Sequence, residues 1–369
     1  MKDGDVVQVA HVVPDLASPT ARRRAGQRTA AQPEEPKMRR ERSTLAAAVA
    51  MGVAVLLGPI EAAAQKSYTM VSIPKIRGTW FDRLESGLKR AGQEFKLDVS
   101  QQAPASADEA QQVRLIEDAI NQGNDAILVV PNDAKSIEPV FARARARKIV
   151  TITHESPGQK NADYDVEMID NKAFGERMLE EMVKAMGKPE GQYAIFVGSL
   201  TVPAHNIWAD AAVALAKRKY PNLKLIGTRY PASEDQNLAR QTALDIITAN
   251  PSVKAFLAFG SQGAPGAAQA VREKGLSGKL AVIGTTAPSQ AAAFLKDGSM
   301  SAAVLWDPGE AGYAMAYLAK TVLDGKKASI GPDLEIPNLG KPLTVEGNTL
   351  IYNRPLVVTR ANVDQFQGF

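Results

Sequence analysis

Charged and aromatic side chains follow several β-rich runs of this chain, in positions suited to ligand binding. Lys75, Trp80 and Phe81 come after the run TMVSIP, and His154 and Glu155 come after KIVTIT. An ammonium group donates hydrogen bonds, a carboxylate accepts them, and an aromatic ring offers a flat apolar face. These side-chain types together predict recognition of a molecule that carries hydroxyl groups on a weakly apolar carbon face, such as a sugar ring.

Further candidates lie at the ends of other apolar runs, where the same chemistry recurs. His205 and Asn206 open a helix after QYAIFVG, and Trp306 and Asp307 follow the strand that ends in VL. Free backbone N–H groups at the start of such helices also suit an oxygen-rich ligand. The full set of candidate ligand-binding residues is Lys75, Trp80, Phe81, Asn132, Thr153, His154, Glu155, His205, Asn206, Gln262, Trp306 and Asp307.

Seven of the candidates also have a purely structural interpretation. Trp80 and Phe81 fit the first turn of a helix that packs its apolar side inward, and this pattern does not separate core from site. His154 and Glu155 fit a solvated pair on an exposed loop. Helix N-capping is the alternative for the polar residues beside predicted helix starts: Asn206, Gln262 and Asp307.

Composition and missing motifs exclude several classes of protein. The chain has no cysteine, three histidines and a net charge of +4, so zinc–thiolate sites, histidine clusters and a strongly basic nucleic-acid face are not expected. Glu155 and Asp307 form the one carboxylate pair at predicted strand ends that could serve glycoside hydrolysis. No nucleophile elbow or phosphate-binding loop is present. The sequence therefore predicts no enzyme, no cofactor and no metal site.

Residues 38–64 have the pattern of a secretory signal peptide. Arg39 and Arg40 precede an apolar run, Leu45–Leu57, that ends at the small residues Ala62–Ala64. The run is shorter than the roughly 20 apolar residues that a spanning helix needs, which leaves an uncleaved anchor as the less favoured alternative. We expect cleavage after Ala64 and a mature chain in the periplasm.

The first residues do not resemble folded protein. Residues 1–37 are rich in Ala, Arg, Pro and Gln without periodicity, and Met38 begins a normal signal peptide by itself. We expect this stretch to be a disordered or non-native extension. The pair Arg39–Arg40 is an incomplete twin-arginine motif, so general secretion is the favoured export route.

The rest of the chain alternates short β-rich runs with longer amphipathic ones. The first series runs from TMVSIP to DVEMID, and a second begins at Asn171 and continues through QYAIFVG, KAFLAFG and KLAVIGT. This alternation predicts an α/β fold with two doubly wound parallel sheets. In such sheets ligands bind beyond the carboxyl ends of the strands, which is where the candidate residues lie.

Several segments resemble the type I periplasmic sugar-binding proteins of ABC importers: the leader, IPK followed by aromatics, GLKRAG, NQGNDAILVVPND, KIVTIT, MIDN and VLWDP. The resemblance covers essentially all of residues 66–369. IPK, LWD and the tail with EIPNLGKPLTV are most similar to the rhamnose-binding and autoinducer-2 receptor branch, in which Lys75 matches the lysine of the branch and Trp80 and Phe81 occupy its aromatic positions.

The resemblance implies two lobes joined by a hinge of three crossings, with a ligand enclosed between them. It places crossings near Asp170 and Asn171, near Trp306 and Asp307, and before the tail. One lobe would comprise residues 66–170 and 307–328. The other would comprise residues 171–306 and 329–369.

The resemblance also implies a function and partners, and local differences bear on the ligand. We expect a monomeric binding protein that delivers a sugar or sugar-like polyol to the membrane subunits of an ABC permease, without nucleic acid. The alternative is a sensory protein that presents its ligand to a chemoreceptor or histidine kinase. Ala204–His205, Gly260–Gln262 and Thr153–His154 replace the Asp-Gln, Pro-x-Ala and Asp-Arg of relatives. These differences argue against autoinducer-2 and the common hexoses and pentoses.

Overall fold

The computed structural model describes residues 67–366, 368 and 369 of the chain. The predicted extension, residues 1–37, and the predicted signal peptide, residues 38–64, lie outside the described residues. Within the described part, no helix is both long enough and apolar enough to cross a membrane.

The first sheet has seven strands, and its central members are apolar and fully buried. The strand AILV, for example, is buried at all four positions, as expected where helices cover both faces of a parallel sheet. Neighbouring strands pair in parallel, except that the two strands contributed by the tail at one edge are antiparallel to each other. In spatial order the strands are β12 (Thr344–Glu346), β13 (Thr349–Ile351), β5 (Tyr164–Glu167), β4 (Val150–His154), β3 (Ala126–Val129), β1 (Thr69–Ile73) and β2 (Asp98–Gln101).

The second sheet repeats this architecture. In spatial order it contains β14 (Leu356–Val358), β11 (Ala302–Leu305), β10 (Ala281–Gly284), β9 (Val253–Ala258), β6 (Gly191–Val197) and β7 (Leu223–Leu225), and β8 (Tyr230–Pro231) also pairs with β6. Only β14 is antiparallel to its neighbour. The run LKLIGTRY, residues 223–230, is divided between β7 and β8 at Gly227, which adopts a left-handed φ of 63°.

The helices cover the faces of the two sheets. They are α1 (Thr79–Phe95), α2 (Glu109–Gln122), α3 (Ala134–Ala146), α4 (Asn171–Met186), α5 (Pro203–Lys219), α6 (Gln236–Ala249), α7 (Gly263–Glu273), α8 (Pro288–Asp297) and α9 (Pro308–Leu323), with short 3-10 turns at Lys327–Ser329 and Val363–Phe366. Aspartate side chains accept hydrogen bonds from first-turn N–H groups of five helices. These caps are Asp108, Asp133, Asp170, Asp235 and Asp307.

Each sheet and its helices form one lobe. The first lobe contains the first sheet with α1, α2, α3 and α9, and the second lobe contains the second sheet with α4 to α8. The predicted α/β class with two mainly parallel sheets is confirmed.

The chain passes between the lobes three times. The passages lie between β5 and α4, between β11 and α9, and between β13 and β14. Two of them fall at the expected positions, beside Asp170 and at Trp306–Asp307. The third was expected before the tail, but it lies within the tail at residues 352–355.

The assignment of the whole tail, residues 329–369, to the second lobe is therefore wrong for β12 and β13. Leu350 of β13 pairs with Val166 of β5, which extends the first sheet. Leu350 and Ile351 are buried there, and burial of this apolar pair stabilises the added edge. Only β14 and the last turn return to the second lobe.

Candidate ligand-binding cleft

The carboxyl ends of the strands of both lobes face a small enclosed space, which we call the inner cavity. Its volume is about 10 Å³, close to the smallest space that holds one water molecule. The wall combines charged groups with aromatic rings from both lobes. It is formed by Lys75, Trp80, Phe81, Glu155, His205, Trp208, Glu234, Gly260, Ser261, Thr285 and Trp306.

Lys75 is the central cation of the inner cavity. It lies two residues after β1 and is only 2% exposed. Its Nζ donates to Glu155 Oε2 at 2.6 Å and lies 3.3 Å from Glu234 Oε1 in the other lobe. Burial acts to lower the pKa of Lys75, but the Glu155 and Glu234 carboxylates outweigh burial and raise that pKa above its usual value. Lys75 is therefore a charged donor between two acids.

Glu155 reaches Lys75 from an unusual backbone conformation. It follows β4 directly and has a φ of 59°, in the left-handed region that side-chain-bearing residues seldom adopt. Such strained conformations are most often found at functional sites, where the surrounding structure holds them. The carboxylate is 2% exposed and accepts the shortest hydrogen bond from the lysine.

His205 contributes an imidazole ring from the second lobe. The N–H of Gly198 donates to its Nδ1 at 3.0 Å. Nε2 lies 3.1 Å from Lys75 Nζ. Burial, followed by the Lys75 charge, holds the pKa of His205 well below its usual value. The ring is neutral, and its Nε2 edge faces Lys75 in the wall of the inner cavity.

Glu234 is the acceptor that sequence reasoning missed. It follows β8 and is buried, and neither carboxylate oxygen has a hydrogen-bond partner among the described residues. Burial raises its pKa, against the lowering effect of the Lys75 charge. Its position shortly after the run LKLIGTRY could have identified it, because the other candidates were chosen from residues that follow such runs.

All three tryptophans of the chain meet beside the inner cavity. Trp306 packs edge-on against Trp80 at 5.2 Å and against Trp208 at 5.5 Å between ring centroids. Trp80 and Phe81 both line the cavity while being 3% and 2% exposed, so they serve the packing and the wall at once. Trp208, on the second turn of α5, was not among the sequence candidates.

His154 supports this aromatic group from behind. Its Nδ1–H donates to the carbonyl of Val166 at 2.6 Å, and its Nε2 accepts from Trp306 Nε1 at 3.2 Å. Burial lowers its pKa, partly offset by the Glu155 charge. His154 therefore orients Trp306 and does not line the inner cavity.

Two other candidates hold the strand ends in place. Asn132 Nδ2 donates to the carbonyl of Lys75 at 3.0 Å, and the Asn132 N–H donates to the side chain of Gln112 at 2.9 Å. Thr153 Oγ1 donates to Asp165 at 2.8 Å, deep in the first sheet. The structure places both of these side chains outside the wall of the inner cavity.

Asn206 and Asp307 are likewise engaged elsewhere. Asn206 Nδ2 donates to the carbonyl of Val202 at 2.7 Å and its Oδ1 accepts from Arg229 at 2.6 Å. Asp307 caps α9 and binds both Arg83 Nε at 2.9 Å and Nη2 at 2.7 Å. The capping alternative describes Asp307, and neither residue reaches the inner cavity.

The two residues predicted for the hinge lie where the chain first leaves the first lobe. Asp170 caps α4 by accepting from the N–H of Ala173 at 2.7 Å. Asn171 Oδ1 accepts a hydrogen bond from Trp208 Nε1, which links this crossing to the aromatic group.

Gln262 faces a second cavity, the vestibule, which adjoins the inner cavity at Glu234. The vestibule has a volume of about 240 Å³. Its wall is formed by Ile76, Arg77, Gly78, Thr79, Ala105, Glu234, Asp235, Gln236, Gln262 and Gln290. Because residues 76–79 belong to the first lobe and residues 234–236 to the second, the vestibule lies between the two lobes.

A larger groove exists at the opposite end of the second lobe. It has a volume of about 770 Å³ and lies at the amino ends of the strands, lined by Lys184, Lys254, Lys279 and their neighbours. Lys184, Lys254 and Lys279 are exposed. We place the candidate site at the inner cavity, where buried charges and rings converge. In residues 67–366, no cluster of acidic and histidine side chains is arranged to hold a metal ion.

Comparison with known proteins gives the chain a family. A model described as "Periplasmic binding protein domain" matches residues 69–327. The D-allose-binding periplasmic protein of Escherichia coli K12 is 26% identical over 257 residues, which cover 68% of this chain and 81% of that protein. The D-xylose-binding periplasmic protein of Haemophilus influenzae is 26% identical over 280 residues, covering 71% and 77%.

Solved structures share the fold. LsrB of Clostridium saccharobutylicum, in complex with AI-2, has a TM-score of 0.75 at 23% identity and covers 81% of this chain and 99% of its own. An ABC transporter solute-binding protein of Clostridium phytofermentas with bound L-rhamnose has a TM-score of 0.76 at 23% identity, covering 82% and 98%. These relatives are binding proteins and not enzymes, which confirms the prediction of a non-enzyme. The match over most of the chain confirms the resemblance, and the chain belongs to the periplasmic binding protein family.

Proposed function

We propose that this chain is a periplasmic solute-binding protein that encloses a sugar or sugar-like polyol between its lobes and delivers it to an ABC-type permease. The relatives named above for D-allose and D-xylose support the ligand class and the compartment. The predicted signal peptide supports export. The observation that carries the proposal is the inner cavity itself, in which buried donors, a buried acceptor and aromatic rings converge from two lobes.

The cavity chemistry matches hydroxyl groups. Lys75 donates and Glu234 accepts, so one hydroxyl can accept from the first and donate to the second. The indole and phenyl rings beside them supply apolar surface for the carbon face of the same molecule. At about 10 Å³ the cavity is smaller than any sugar, so binding requires the lobes to move apart.

A thermal-shift screen tests the proposal. The panel contains D-allose, D-ribose, D-xylose, L-rhamnose, xylitol and autoinducer-2. A ligand that binds only the folded chain stabilises it by about 2.7 kcal/mol at 100 times its dissociation constant. We expect at least one neutral sugar or polyol to raise the melting temperature. A panel without any shift would remove the main support for sugar binding.

Lys75→Met tests whether the inner cavity is the binding site. The change removes the ammonium but keeps much of the side-chain volume, so we expect the ligand-induced shift to disappear. The ligand-free melting temperature should also fall, because Glu155 and Glu234 lose their only nearby cation. Lys89→Met is the matched control, since Lys89 is exposed and pairs only with Glu85 on the surface of α1. An unchanged shift in Lys75→Met would place the ligand elsewhere.

Import and sensing are separated by an uptake measurement. A strain that lacks the gene should lose uptake of the radiolabelled ligand found in the screen, and a plasmid copy of the gene should restore it. Uptake that persists at the normal rate while a transcriptional response to the ligand is lost would support the sensory alternative instead.

A further inference from the structure

Glu234 is a buried acid whose surroundings do not satisfy it. Its side chain is 5% exposed, and both carboxylate oxygens lack a hydrogen-bond partner among the described residues. The nearest cation, Lys75 Nζ, forms an ion pair with Glu234 Oε1 at 3.3 Å but donates its shorter hydrogen bond to Glu155 at 2.6 Å. A buried carboxylate that shares one ammonium with a second acid has acceptor capacity left unused, so this arrangement points to further donors supplied by a ligand.

Glu234 is also the residue that a ligand meets at the junction of the two cavities. It lines both the inner cavity and the vestibule of about 240 Å³. Three amide side chains, those of Gln236, Gln262 and Gln290, share the vestibule wall with it. Amides donate and accept equally, so they suit hydroxyl groups that extend outward from the inner cavity.

The charges around Glu234 restrict the kind of ligand. Glu155 and Glu234 are two acids with one ammonium between them, and His205 and His154 are neutral. An anionic group in the inner cavity would face both acids at short range, whereas a neutral hydroxyl would donate to Glu234 and accept from Lys75. A cationic group would face the ammonium of Lys75.

Building on the proposed function, we propose that Glu234 is a specificity-determining ligand residue. It accepts hydroxyl hydrogens from a neutral sugar or polyol whose remainder extends into the amide-lined vestibule, and its charge excludes acidic sugars. The chemical class of the ligand is therefore a neutral polyhydroxylated molecule and not a sugar acid or sugar phosphate.

Calorimetric titration with matched neutral and acidic probes tests this role. The pairs are D-ribose with D-ribonate, D-xylose with D-xylonate, and L-rhamnose with L-rhamnonate. For a pair whose neutral member binds the wild type, we expect the acid to bind at least about 100-fold more weakly. In Glu234→Gln the neutral sugar should bind roughly tenfold more weakly, and the neutral-to-acid ratio should fall at least about tenfold. Glu190→Gln, an exposed acid at the far end of the second lobe, is the control and should change neither value.

A second measurement needs no ligand. If Glu234 serves ligand binding, Glu234→Gln should melt at the wild-type temperature or higher, because Lys75 keeps its shorter hydrogen bond to Glu155 and one of two mutually repelling buried acids is removed. A fall of more than about 5 °C would instead make Glu234 a structural partner of Lys75 and would overturn the proposal. Unchanged neutral affinity and an unchanged ratio in Glu234→Gln would overturn it as well. If no probe binds the wild type, the proposed function fails, and the melting comparison still decides the role of Glu234.

Discussion

Two buried acids of the first sheet make the stability of the folded protein depend on pH. Asp165 and Glu167 lie on one face of β5 and are fully buried. Asp165 accepts from Thr153, and burial raises its pKa to about 7. Neither oxygen of Glu167 has a hydrogen-bond partner in the described part of the chain, and burial, followed by the charges of Asp165 and Glu155, raises its pKa well above the usual value. Glu167 therefore keeps a proton in the folded chain.

Glu167→Gln should stabilise the protein increasingly as the pH rises. The unfolded chain releases this proton above a pH of about 4.5, whereas the folded chain retains it, so the wild type loses stability between that pH and the raised folded pKa. Glutamine does not titrate. We expect the advantage of the variant in free energy of unfolding to grow by at most about 1.4 kcal/mol per pH unit.

Urea unfolding at pH 5, 6, 7 and 8 measures this dependence. Glu190→Gln is again the control, because Glu190 is exposed and lies far from β5, and its difference from wild type should not vary with pH. The pKa of Asp165 is raised into the same pH range, and Asp165 lies on the same face of β5 as Glu167. Adding Asp165→Asn to the Glu167→Gln variant therefore separates the contributions of the two acids to the pH dependence of stability. A difference between Glu167→Gln and wild type that does not vary with pH would refute the assigned protonation.

At the residue level, the sequence predicted side chains that follow the strands. Lys75, Glu155 and Trp306 lie within two residues of a strand end and line the inner cavity. His205 also lines it, from the first turn of α5, the helix that follows β6. Glu234 was missed because β8 has two residues, too few for any periodic signal. Asp307 was included because a cap and a ligand residue look the same in sequence, and only the contact with Arg83 distinguishes them.

Among the elements, the crossing of α1 and α9 depends on glycines. A Cβ at Gly87 of α1 would lie 1.7 Å from the carbonyl oxygen of Gly309, and one at Gly312 of α9 would lie 2.2 Å from the carbonyl oxygen of Leu84. The backbones of the two helices therefore touch. This contact holds α9, which follows the second crossing, against the first helix of the first lobe.

Gly87→Ala should destabilise the protein although alanine is the better helix former. The helix preference would favour alanine by about 1 kcal/mol, but overlap with backbone atoms that cannot rotate away costs typically 1–3 kcal/mol and more where contact is this close. We expect a net loss of about 2 kcal/mol in chemical denaturation. Ser86→Ala, one residue earlier on the exposed side of α1, should stay within about 0.5 kcal/mol of wild type. A Gly87→Ala variant as stable as wild type would mean that the two helices can separate freely.

The long amphipathic helices and buried central strands were predictable, whereas the tail was not. Strands such as AILV carry a continuous apolar signal. β12, β13 and β14 have three residues each, and a segment of that length can extend either sheet equally well by pattern alone. The place where β13 pairs is decided by the free edge at β5, a tertiary feature.

Over the whole molecule, the first and second crossings both contact the aromatic group beside the inner cavity. Trp306 lies at the second crossing, Asn171 at the first crossing accepts from Trp208, and Trp80 comes from the first lobe. Any change in the relative position of the lobes must therefore alter contacts between tryptophans. The chain has three tryptophans in all, so its indole fluorescence reports on the cleft alone.

Ligand titration should therefore change the tryptophan emission with the same midpoint as calorimetry. Trp80, Trp208 and Trp306 are 3%, 1% and 1% exposed, and entry of a sugar beside them must displace ring contacts or admit polar groups. We expect a saturable change in intensity with the sugar that raises the melting temperature. A sugar that produces no thermal shift should leave the emission unchanged. The Lys75→Met variant should also show no change when the active sugar is added.

Trp80→Phe and Trp208→Phe each remove one fluorescent ring, from a different lobe. Each variant should therefore show a smaller intensity change than the wild type. Any shift in the midpoint of the titration should be no larger than the loss of one ring contact explains. Thermal stabilisation by a sugar without any fluorescence change would place the ligand outside the cleft, because no movement of the lobes around that sugar could leave all three rings undisturbed.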